Sequence, residues 1–193
     1  MKNPLESLHL TLLIGLVLAV VALLLLHAGA AFSTEWWLFL VRWIHVLAGI
    51  LWIGLLYYFN FVQMPSMPKI PDEQKPAIGK VIAPEALFWF RWAAAATVLF
   101  GAITALANGY LFEALTFRGG FATIGLGMWL ALIMAANVWF VIWPNQQRAL
   151  GLVEADADTK KRSARLAMLA SRTNTALSIP MLYCMVAQQQ ALA

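Results

Sequence analysis

The sequence predicts an all-α integral membrane protein, a helical bundle of about five spanning helices, and three observations predict it. Of its 193 residues 62% are hydrophobic and only 11% are charged, against roughly 25% charged in a soluble domain. That much apolar surface needs lipid as its solvent. The apolar residues gather into stretches close to the ~20 residues that cross ~30 Å of hydrocarbon, and inside lipid the backbone of each stretch satisfies its own polar groups only as a helix. Finally, the basic residues fall in alternate connections, the pattern of a multi-pass chain.

Taken in order, the predicted spans are residues 8–32, 36–64, 87–108, 121–143 and 172–190, within a single transmembrane domain. The first holds the run L-V-L-A-V-V-A-L-L-L-L and is the most lipid-like. Its apolar core exceeds the 7–15 residues of a signal peptide, so it reads as a span. The second carries polar residues among its aromatics. After it comes M64-P-S-M-P-K-I-P-D-E-Q-K-P, whose four prolines read as a stop to the helix. The segment 146–171 is helix-friendly and partly amphipathic, and extends the fourth and fifth spans or lies along the headgroups.

Lys2, Lys69, Lys75, Lys80, Arg148, Lys160, Lys161, Arg162, Arg165 and Arg172 lie on one side of this arrangement, while the other offers only Arg118, beside Glu35 and Glu113. Ten against one places the N-terminus in the cytoplasm. Glu85 and Arg91 flank the third span as interface anchors. The net charge of +4 then serves topology and lipid headgroups, not nucleic acid. A single cysteine, Cys184, excludes an internal disulfide. No C-x-x-C-H for covalent haem is present, and no phosphate-binding or hydrolytic motif.

The functional candidates sit in the second span. Arg42, His45, Gly49 and Trp52 share one helical stripe, so a cation, an imidazole, a gap and an aromatic ring face the same space. Ionisable groups in hydrocarbon cost about 2.5–3.5 kcal/mol each on insertion scales and mark functional sites. A neutral imidazole there is suited to axial ligation of haem iron; Gly49 would let a flat macrocycle approach, and Arg42 would pair with a propionate. His27, near the same membrane face, is a candidate second ligand. The competing reading is that His45 hydrogen-bonds a neighbouring helix while Arg42 snorkels to the headgroups. Further stripes are Thr97, Gly101, Thr104 and Asn108 in the third span, Gly127, Leu130, Met134 and Asn137 in the fourth, and Asn174, Ser178, Met181 and Met185 in the fifth. Each reads as hydrogen-bonded packing between helices.

Four blocks, R42-W-I-H-V-L-A-G-I-L-W-I-G-L-L-Y-Y-F-N-F-V-Q, F90-R-W-A-A-A-A-T, N137-V-W-F-V-I-W-P-N-Q and S171-R-T-N-T-A-L-S-I-P-M-L, resemble in order the N-terminal membrane domain of the bacterial cytochrome c-fused urate hydroxylases. The resemblance implies a membrane domain engaged in urate oxidation that passes electrons to a cytochrome c. Because this sequence carries no haem c motif, it implies a separate carrier on the outer side. Two readings follow. One is a redox-type domain with b-type haem on His45. The other is a non-catalytic structural or assembly subunit of a larger respiratory or photosynthetic membrane complex. In either, the expected partners are the lipid bilayer and other membrane subunits or further copies of the chain. The deep indoles of Trp52 and Trp139 are expected to face lipid or such a neighbour.

Overall fold

The computed structural model describes residues 3–188, so Lys2 and the end of the fifth predicted span, Gln189 and Gln190, lie outside it. The described residues are helical, without a strand. They divide into two units, Met1–Leu40 and Val41–Ala193. Four helices are long and apolar enough to cross a membrane: α1 Leu8–Ala30, α2 Thr34–Lys69, α3 Lys75–Ala107 and α5 Ala122–Ala149. Between the last two lies the short α4, Leu111–Leu115. The final helix, α6 Ala157–Ala187, takes in residues 172–187 of the fifth predicted span but is less apolar, because Arg172, Thr173, Asn174, Thr175 and Ser178 occupy its middle.

In the first unit, α1 is apolar on every side and none of its residues is buried. It has no polar face to distinguish an inside from an outside. The division into units falls within α2, after Leu40.

The second unit is held by a core that every long helix in it supplies. Trp52, Leu56 and Phe59 come from α2, Leu87, Phe90 and Ala94 from α3, Met134, Val138 and Ile142 from α5, and Met181 from α6. Phe59 and Phe90 meet edge to face, with ring centroids 5.6 Å apart, the arrangement that aligns a positive ring edge with a negative face. Trp52 is completely buried. The expectation that it faces lipid or a neighbour is thus corrected: its indole fills the core of its own chain. Trp139 is half-buried and lies edge-on against Trp92 at 5.3 Å.

The prolines did not stop the helices. α2 runs on through Pro65 and Pro68 to Lys69, and the expected break at Met64 falls instead at Ile70. The reason is local. Three π-helical turns, Tyr58–Gln63, Ile78–Ile82 and Val138–Ile142, each end two residues before a proline: Pro65, Pro84 and Pro144. Met64, Ala83 and Trp143 send their N–H groups to carbonyls five residues back, on Phe59, Ile78 and Val138. A proline in an α-helix drives its ring into the carbonyl four residues earlier. Widening the preceding turn relieves that clash, so each helix continues in a new register.

Close approach requires glycine at Gly125, where a Cβ would lie 2.0 Å from the Ala114 carbonyl oxygen of α4. Gly127 brings α5 onto α6, since a Cβ there would stand 3.0 Å from Cβ of Cys184.

Candidate functional site

His45 lies on the face of α2 that meets α3. Its Nδ1 is 2.8 Å from the Thr97 carbonyl oxygen. A carbonyl only accepts, so Nδ1 carries the proton and, in the neutral ring, Nε2 keeps its lone pair. Nε2 makes no hydrogen bond within the described residues and is not enclosed by them. The ring rests on Gly101: a Cβ at that position would be 2.8 Å from Cε1 and 3.0 Å from Nδ1 of His45. Any other residue there would push the imidazole away. The Thr97 hydroxyl is used separately, donating to the Ala93 carbonyl at 2.7 Å.

The other stripe residues distribute themselves along the same seam. Gly49 faces Thr97, whose methyl would be 3.8 Å from an added Cβ, an ordinary contact. The close approach to an imidazole thus belongs to Gly101 and not to Gly49. Trp52 continues into the core, and its indole N–H is buried without an acceptor. Arg42 is exposed one turn from His45 in the other direction. Its charge reaches Tyr110, just beyond α3. Burial pushes the Tyr110 phenol above its ordinary range, and the Arg42 guanidinium partly opposes that shift. Tyr110 itself stacks on Phe121 with ring centroids 5.2 Å apart. His27 belongs to the first unit, at the exposed end of α1.

Sequence reasoning identified the His45 stripe and the α3 stripe separately. The structure joins them through Thr97 and Gly101. It also shows Arg91 stacked on Trp143, with the guanidinium carbon 3.8 Å from the ring centroid, a cation–π contact between two residues that no sequence spacing links.

The α5–α6 seam is a contrasting hydrogen-bond network. Asn137 donates from Nδ2 to Asn174 Oδ1 at 2.8 Å and to the Ala170 carbonyl at 3.0 Å. Asn174 returns its own Nδ2 to the Met134 carbonyl at 3.0 Å. From α2, Asn60 donates to Ser171 Oγ at 2.8 Å, and the Tyr57 hydroxyl pairs with Ser178 Oγ at 2.9 Å. These stripes are packing between helices, as their residue types suggested.

A single imidazole whose Nδ1 is held by a backbone carbonyl would leave Nε2 to hold a haem iron, a carbonyl partner being a usual means of fixing ring tautomer and direction. Among the described residues no three His, Cys, Asp or Glu side chains gather as a metal cage.

Comparison with known proteins gives one family. The family profile described as urate oxidase N-terminal matches residues 102–193. No curated protein and no solved structure matches the chain. The matched segment contains Asn137, Asn174 and Ser178, while His45, Arg42 and Thr97 lie before it. Through residues 102–193, just under half of its length, this chain is similar to the urate oxidase N-terminal family.

Proposed function

We propose that this chain is a membrane-embedded redox domain of the urate hydroxylase type, in which His45 holds b-type haem through Nε2 and electrons leave to a separate carrier such as a cytochrome c. The observation that carries the reading is the state of the His45 ring: one nitrogen fixed on the Thr97 carbonyl at 2.8 Å, the other unpartnered and open. A haem bound there would supply one-electron transfer, its potential set by the axial ligand and nearby charge. Thr97 holds the imidazole in the ligating tautomer. Gly101 provides the surface on which the ring lies. Arg42, exposed and without a carboxylate partner among the described residues, is placed to neutralise an anionic group one turn away. The proposed orientation, N-terminus in the cytoplasm of a bacterial inner membrane, puts this end of α2 toward the outer face, where a carrier docks.

A reduced-minus-oxidised spectrum of the purified protein tests this. The reading expects a Soret and α-band in the parent chain that His45→Ala abolishes while helix content is unchanged. Spectra that are identical in the two proteins would remove His45 as the ligand.

One observation favours a second reading, a structural subunit of a larger membrane complex. α1 presents apolar side chains on all sides with none buried, a surface that suits a neighbouring helix as well as lipid. A native mass well above 21.4 kDa after mild detergent extraction, without any haem band, would support that reading over the first.

A further inference from the structure

Where α3 and α5 approach one membrane boundary, a cation is held by aromatic rings and by no anion. The Arg91 guanidinium carbon lies 3.8 Å from the Trp143 ring centroid and 5.4 Å from that of Phe88. Arg91 stands four residues, about 6 Å, inside the start of the third predicted span, and Trp143 closes the fourth. The pair thus sits where headgroups give way to acyl chains. Among the described residues the sole ion pair is Lys75 with Asp72. Glu85, the one acidic residue of α3, instead takes the Trp89 indole N–H at 3.0 Å. Nη1 of Arg91 is enclosed with no acceptor. Nε and Nη2 make no hydrogen bond among the described residues and are not enclosed.

These facts select the chemistry of a partner. A guanidinium at the edge of hydrocarbon needs a counter-charge, and this chain supplies none there. Stacking uses the face of the guanidinium and fixes its plane. The open edge is left as a rigid fork of N–H donors, the shape that meets two oxygens of a phosphate. Trp92 and Trp139, again one from α3 and one from α5, meet edge-on at 5.3 Å, one turn of α5 deeper than Trp143. Trp92 is half exposed. A charged fork above an apolar aromatic wall matches a phospholipid better than a soluble anion. Lys80 and Arg148, in the connections at the same end, favour a lipid of net negative charge over a zwitterionic one.

We infer that Arg91 and Trp143 form a binding site for the phosphodiester of an anionic phospholipid, with Nε and Nη2 donating to its oxygens and an acyl chain lying along Trp92 and Trp139. The site shares no residue with the His45 seam and stands or falls independently of haem.

Native mass spectrometry of the full chain, delipidated in a mild neutral detergent and titrated with phosphatidylglycerol, tests it. The parent chain holds the first phosphatidylglycerol at least roughly tenfold more tightly than Arg91→Met, the order expected for a charge-assisted hydrogen bond. Arg91→Lys keeps the charge but loses the planar fork. It weakens binding too, and carries the test if Arg91→Met does not fold. Arg148→Met removes an exposed cation at the same end and leaves binding within about twofold, as for a solvated surface charge. Phosphatidylcholine binds several-fold more weakly than phosphatidylglycerol, and millimolar inorganic phosphate does not displace the lipid. Undiminished binding by the Arg91 variants, or an equal loss in Arg148→Met, would overturn the inference and leave Arg91 merely solvated at the interface. So would equal binding of the two lipids, or displacement by inorganic phosphate, the mark of a soluble-anion site.

Discussion

Two seams of the second unit use similar materials to different ends. Between α5 and α6, polar side chains find partners on the facing helix: Asn137 and Asn174 bond each other and each takes a carbonyl across the gap. Between α2 and α3, the polar groups are only half used. His45 spends one nitrogen on Thr97 and leaves the other open, and the Trp52 indole N–H is buried with no acceptor. Buried polar groups in native proteins are nearly always matched. A seam that closes its network serves packing. A seam that leaves a lone pair at its edge is the one on which the proposed ligand role of His45 rests.

The largest effect should come from breaking the closed seam. Asn174 is completely buried, and Asn174→Ala strips Asn137 of one acceptor and the Met134 carbonyl of its side-chain donor. We expect a loss of about 2 kcal/mol in a reversible detergent unfolding titration, within the range for unmatched buried polar groups and above the ~0.6 kcal/mol average for single interhelical bonds in membranes. A change below a few tenths of a kcal/mol would show that the network is incidental.

The open seam should respond at one glycine and not at its neighbour. Gly101→Ala puts a methyl 2.8 Å from the His45 ring, and either the ring or the helix must move. Overpacking of this kind costs about 1–3 kcal/mol, and His45 should lose its Thr97 bond. Gly49→Ala meets only an ordinary contact at 3.8 Å and should be neutral or slightly stabilising, by up to about 1 kcal/mol from helix propensity. Equal responses would mean that the imidazole does not rest on Gly101.

Arg42 should make the smallest difference. Its charge favours the ionised form of Tyr110, against the upward push of burial. Arg42→Ala therefore raises the Tyr110 ionisation pH further, which an ultraviolet titration of the phenol follows. A downward movement would show that the two groups are not coupled as described.

Much of the fold was legible because membranes impose coarse rules. The length of apolar stretches and the need to satisfy the backbone specify helices without any knowledge of packing. The proline turns were misread for a physical reason: Pro65 forbids an ordinary α-turn, but a widened turn before it removes the clash, and nothing in M-P-S-M-P announces which solution the chain takes. The His45 stripe was visible from its spacing. Its partner was not, because a Thr97 backbone carbonyl has no signature in sequence, and only the pairing of α2 with α3 shows that Gly101, not Gly49, lies beneath the ring. Trp52 was assigned to lipid or a neighbour on the strength of its indole N–H; the core buries it and leaves that N–H unmatched.

The account rests on the tautomer of one imidazole. Nitrogen-15 magnetic resonance of the haem-free protein with labelled histidine, assigned by comparison with His45→Ala, reads it directly. The prediction is a proton on Nδ1, as the 2.8 Å bond to the Thr97 carbonyl requires, and an Nε2 resonance that moves when haem is added. A proton found on Nε2 would contradict the account, since it would leave no lone pair at the open edge of the seam.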